Sequence, residues 1–136
     1  MTETPSRRDA ATGPRHRRRH ARGAGEPGAW DISFRVLFSA DRTPTSSLYT
    51  GFTELPPTDW LGPHRHTQAE VYNVVEGRGV RRLGATSAPV TPGSAVFIPG
   101  NAERGTRNTG DGPLRFVYAF ATDSIDDVVY RFLDDR

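Results

Sequence analysis

The 136-residue chain has no cysteine. Disulfides, zinc-thiolate clusters and cysteine nucleophiles are therefore excluded. Lysine is missing as well: all 18 basic side chains are arginine, so Schiff-base chemistry on a lysine is excluded too. This all-arginine usage fits a GC-rich coding sequence and lowers the weight of any single arginine as a signal. No apolar run approaches the roughly 20 residues that span a bilayer. Nor does an apolar segment follow the basic N-terminus, as a secretory signal requires. These absences lead to the expectation of a soluble, cytoplasmic protein with no membrane partner.

Charge is unevenly placed. Residues 1–28 carry seven arginines against three acids, whereas residues 29–136 carry 11 against 13, a net −2 in a chain whose total is +2. The high pI therefore belongs to the N-terminal segment. Its run RHRRRH (15–20) has the charge to neutralise phosphates. It lacks the interleaved aromatics of a single-strand binder, so a nucleic-acid partner is disfavoured against a solvated tail. A segment so poor in core-forming side chains cannot offset its ordering entropy. Residues 1–28 are read as a disordered Arg-rich tail and residues 29–136 as one domain, a size at which a single core is usual.

Within that body, short β-type runs alternate with Gly, Pro, Asn and Asp: ISFRVLF (32–38), SLYTGFTEL (47–55), AEVYNVVEG (69–77), GVRRLG (79–84), SAVFIP (94–99) and PLRFVYAFA (113–121). Strands at this spacing without long helices predict an all-β sandwich or barrel. Helical periodicity is confined to SIDDVVYRFL (124–133), which predicts a short C-terminal helix with Asp126 and Asp127 in its first turn.

The chemistry-bearing residues cluster in GPHRHTQAEVYNVVEG (62–77). His64 and His66 are the only histidines outside the tail, and residues i and i+2 of a strand share a face, so both imidazoles can reach one ion. Glu70 has the same parity and would complete a two-histidine, one-carboxylate set with open coordination positions. The bland reading is a pair of histidines capping a surface turn.

The spacing Gly62-x-His64-x-His66-x3-Glu70-x6-Gly77 resembles the first motif of the cupins, and Gly93-x5-Pro99 continuing to Asn108 resembles the second. The resemblance implies a double-stranded β-helix, or jelly-roll, cupin barrel, often dimeric, so a homodimer is expected. It also implies one divalent transition metal (Fe, Mn, Ni or Zn) on His64, His66 and Glu70. The second motif departs twice: Asn101 stands where glycine is usual, and Arg104 where the fourth ligand, histidine, is usual. A guanidinium offers donors only and cannot ligate a metal. Three readings stay open. The metal is retained and Arg104 pairs with a substrate carboxylate or phosphate; or the metal is lost and Arg104 with Glu70 forms a polar floor; or the strand slips one residue and Glu103 becomes the fourth ligand.

Tyr72 follows Glu70 at i+2. The pattern H-x-H-x3-E-x-Y is similar to that of cupin lyases acting on dimethylsulfoniopropionate, which implies a catalytic base, whereas the plain alternative is a core tyrosine. Tyr49, Asn108 and Tyr118 are candidate lining and ligand-binding residues of a mostly apolar cavity. Two functions follow. One is a small cupin enzyme of lyase, isomerase, cyclase or oxygenase type acting on a small anionic metabolite through the metal; the other is a metal-free cupin that binds such a ligand. A transcription factor is disfavoured, since the body leaves no space for a helix-turn-helix.

Overall fold

The computed structural model describes residues 15–20 and 30–132. Eleven strands fall into two antiparallel sheets. The first has the order β1 (Arg15–His20), β2 (Trp30–Phe38), β3 (Tyr49–Leu55), β10 (Leu114–Phe120), β5 (Glu70–Glu76), β8 (Ala95–Ile98); the second has the order β11 (Arg131–Phe132), β4 (Trp60–Arg65), β9 (Arg104–Asn108), β6 (Gly79–Leu83), β7 (Thr86–Val90). This is the predicted jelly-roll.

Period-two alternation builds the barrel interior. In β3 and β10 every second residue is buried, and the register sets Leu55 opposite Leu114, Thr53 opposite Phe116 and Tyr49 opposite Phe120. Strand β5 contributes Glu70, Tyr72 and Val74 to the same face, with Tyr72 opposite both Tyr118 and Val96. From the second sheet, β9 turns Arg104, Thr106 and Asn108 inward. Aromatic and aliphatic side chains form one core, into which these polar groups are set.

Two expectations need correction. Arg15–His20, assigned to a disordered tail, forms a strand antiparallel to β2, from Arg15 opposite Arg35 to His20 opposite Trp30. A backbone ladder is indifferent to side-chain charge, and this strand covers what would otherwise be the open edge of β2. The rest of the expected tail lies outside the described residues. The C-terminal helix shrinks to a 3₁₀ turn, Ile125–Asp127, capped by Ser124. Val128, Val129 and Tyr130 are better suited to extended chain than to helix, and the segment ends in β11, which pairs with β4 at His64 and Arg65. No helix among the described residues is long and apolar enough to cross a membrane.

Candidate functional site

A bulge aims the first histidine. Between Leu61 and His64, β4 runs three residues while its partner β9 runs two, from Thr106 to Arg104. The extra residue, within Gly62-Pro63, lets His64 face inward opposite Arg104. His66 lies just past the strand, and its carbonyl accepts from the Asn101 amide at 2.8 Å, joining the 66–69 loop to the 99–103 loop. Asn101 has φ +62°. Asparagine tolerates this left-handed conformation better than most residues, so replacement of the usual glycine there leaves the loop shape available.

Both imidazoles are deeply buried, and both are held by carbonyls. His64 Nδ1 donates to Gly62 O at 2.9 Å, and His66 Nδ1 donates to Gln68 O at 3.0 Å. With the proton on Nδ1, the His66 ring can accept at Nε2. There it meets Arg104, whose Nη1 is 2.7 Å from His66 Nε2 and 3.2 Å from Glu70 Oε1. The guanidinium is pinned from behind as well: Nε donates to Ala102 O at 3.1 Å and Nη2 to Pro99 O at 3.0 Å. All three of its nitrogens are thus engaged. Burial lowers the Arg104 pKa from the ordinary value and Glu70 raises it back in part; arginine remains a cation throughout.

These side chains do not fit a divalent ion as they stand. His66 Nε2 and Glu70 Oε1 lie 3.2 Å apart, and Arg104 sets a cationic nitrogen against both of these supposed ligands. Among the described residues no group of three or more His, Asp and Glu is arranged to hold a metal. The guanidinium is not an open fork for a ligand either, because Glu70, His66 and two carbonyls hold it. The slipped register does not occur: Arg104 is 2% exposed, while Glu103 turns to Arg65 and Arg82 at 3.6 and 3.4 Å on the outer side.

The remaining candidates sort by partner. Tyr72 donates to, or accepts from, Thr106 Oγ1 at 3.3 Å. Burial above all pushes its phenol up to about 12, with Glu70 adding to the rise while the Thr106 hydrogen bond and the charge of Arg81 oppose it. Tyr49 and Tyr118 join hydroxyls at 2.5 Å and wall the interior. The amide of Asn108 is spent on backbone: Nδ2 donates to Leu55 O and Gly112 O, each at 2.9 Å, and Oδ1 accepts from Gly110 N. It braces the 108–112 turn and does not offer itself to a ligand.

Three residues were missed by sequence reasoning. Tyr130 and Phe132 pack on the histidines, with ring centroids 5.4 and 5.6 Å from His64, and Tyr130 stands edge-on to His66 at 5.5 Å. Their i, i+2 spacing was the available signal, hidden under the helical reading. Arg81 is the third. It shares the inward parity of Gly79 and Leu83, standing opposite Thr106 in the ladder.

Residues 51–120 match the family described as Cupin domain. The chain belongs to the cupin family. This cupin is 34% identical over 110 residues to the dimethylsulfoniopropionate lyase DddW of Ruegeria pomeroyi, covering 81% of the chain and 72% of that protein. It is 24% identical over 91 residues to an oxalate-binding protein of Thermotoga maritima, covering 66% and 75%. Among solved structures, the polyketide cyclase RemF of Streptomyces resistomycificus superposes with a TM-score of 0.70 at 21% identity, covering 98% of this cupin and 86% of that chain; at that identity the likeness speaks for the fold.

Proposed function

We propose that this cupin receives a small carboxylate metabolite inside its barrel and binds it without a metal. The observation that carries this reading is the Arg104 guanidinium in contact with both His66 Nε2 and Glu70 Oε1. It joins the β4–β5 loop to β9, as an ion on the same side chains would, and cancels the one buried carboxylate of the cluster. The ligand class is supported by the two curated relatives, named for dimethylsulfoniopropionate and oxalate, both small carboxylates. The aromatic walls from Tyr72, Phe116 and Tyr118 suit the apolar remainder of such a ligand.

A second reading, an enzyme of lyase type, is favoured by the 34% identity to the lyase and by Tyr72 standing on the inner face of β5 with Glu70. A bound Fe, Mn, Ni or Zn ion would supply Lewis-acid polarisation of the substrate, with His64, His66 and Glu70 as its holders. It requires Arg104 to leave its four partners and the Tyr72 phenol to fall far below about 12. The arrangement favours binding over turnover.

The test is calorimetric titration of the untagged full chain with oxalate, propionate and dimethylsulfoniopropionate, alongside elemental analysis and an assay of dimethyl sulfide release. Saturable binding with metal well below one ion per chain and no release is the expected result. Stoichiometric metal that disappears in His64→Ala, or sustained release of dimethyl sulfide, overturns the binding reading in favour of the enzyme. Arg104→His should raise occupancy towards one ion per chain, because it removes the competing cation and restores an acceptor nitrogen.

The reading includes a homodimer. The outer face of the first sheet presents Phe97 (63% exposed) opposite Val71 (40%), beside Val75 (51%), on and next to the edge strand β8. An identical edge strand in a second copy fits this surface.

A further inference from the structure

Resting on the carboxylate-binding reading, we infer that Arg81 is the residue that takes the ligand's carboxylate. In GVRRL the chain places two arginines in succession on β6, and alternation sends them to opposite sides. Arg82 goes outward, where Nη2 meets Glu103 at 3.4 Å and Nε donates to Gly84 O at 3.1 Å. Arg81 goes inward, in ladder register with Thr106, between Gly79 opposite Asn108 and Leu83 opposite Arg104. Thr106 in turn contacts the Tyr72 hydroxyl from the facing sheet. Arg81 therefore lies on the inward face of the second sheet, next to Thr106 and on the same face as Arg104.

The two inward arginines differ in their partners. Arg104 has four contacts; Arg81 Nη1 is buried with no hydrogen-bond partner among the described residues. Buried polar groups left without a partner are uncommon and costly, the more so when charged. The charge count agrees. Glu70 is the one buried carboxylate among the described residues, and Arg104 takes it, so the positive charge of Arg81 is in surplus. A ligand carboxylate supplies both the missing acceptor and the missing charge through a charge-assisted, planar pair. The Tyr72 hydroxyl, which reaches Thr106 opposite Arg81, can give a further hydrogen bond to the same anion. Arg104, which the motif position marks out, holds the scaffold; Arg81, outside both motifs, meets the ligand.

The experiment compares wild type, Arg81→Met, Arg81→Lys and Arg104→Met by calorimetric titration with propionate and oxalate, with thermal melting of each variant and inorganic phosphate as a control anion. Arg81→Met is expected to weaken carboxylate binding about tenfold or more, the loss of one charge-assisted pair, while melting at or above the wild-type temperature because the half-buried cation with its unpartnered Nη1 is gone. Arg81→Lys should recover part of the affinity, and Arg104→Met should lower the melting temperature. Carboxylate affinity unchanged in a folded Arg81→Met protein overturns the assignment to Arg81 and leaves the carboxylate reading standing. Failure of wild type to bind either carboxylate, with Arg81→Met melting at or above wild type, overturns that reading instead. Phosphate binding as tightly as the carboxylates, and equally weakened in Arg81→Met, overturns the ligand class.

Discussion

The phenol of Tyr118 lies across the backbone of Gly51, where an added Cβ would sit 2.1 Å from its hydroxyl oxygen. Only glycine admits this crossing, and the hydroxyl so placed reaches Tyr49 at 2.5 Å. Tyr49→Phe leaves the Tyr118 hydroxyl without that partner, and the expected cost is about 1–3 kcal/mol in urea unfolding. Combined with Tyr118→Phe, the loss should be smaller than the sum of the two singles, because the orphaned group is removed. Burial, then the neighbouring Tyr49, holds the Tyr118 phenol above its ordinary value of 10.0. The unfolded chain ionises there first, so it binds fewer protons than the folded chain above about pH 10. Stability is therefore fully present below that pH and falls as the pH rises. Denaturant unfolding at stepped alkaline pH should show a shallower decline in Tyr118→Phe than in wild type.

The C-terminal segment shows how one short element completes the site. Ser124 Oγ accepts from Asp126 N at 3.2 Å while Asp127 Oδ2 accepts from Ser124 N at 3.1 Å, a capping box that turns the chain so that Tyr130 and Phe132 reach the histidines. Ser124→Ala is expected to cost about 1 kcal/mol and to speed hydrogen exchange at Arg131 and Phe132 more than in β5 or β10. Legibility in the sequence follows from range. The long alternating runs of β3, β5 and β10 were readable because each carries its own period. The short β7 was not, since TSAPV carries a proline and no clear alternation. His64, His66 and Glu70 were found by spacing. The Gly62-Pro63 bulge that aims His64, the 3₁₀ turn that replaces a helix, and the partners of Arg104 depend on contacts between distant segments. Arg81 was overlooked for a different reason: in an all-arginine chain its identity is unremarkable, and only the register with Thr106 gives it meaning.

At the scale of the whole molecule, the two sheets solve the edge problem unequally. The first sheet ends in β1 at one side and in β8 at the other, and β8 carries Phe97 outward next to Val71. An exposed, apolar edge strand invites pairing with another chain. Two copies of β8 brought together antiparallel about a two-fold axis would satisfy one another's open backbone groups and set the two Phe97 side chains on one face of the joined edge. Light scattering coupled to size exclusion should then report twice the chain mass of 15.0 kDa. Phe97→Asp, which places two like charges at the axis, should return a single chain mass. Because Phe97 points away from the barrel interior, the carboxylate affinity of the monomeric variant should stay within about a factor of two of wild type, on the ordinary additivity of distant sites. A single chain mass for wild type would remove the dimer, and a loss of ligand affinity in Phe97→Asp would show that the outer face and the interior are coupled through β5, which supplies Val71 to one and Tyr72 to the other.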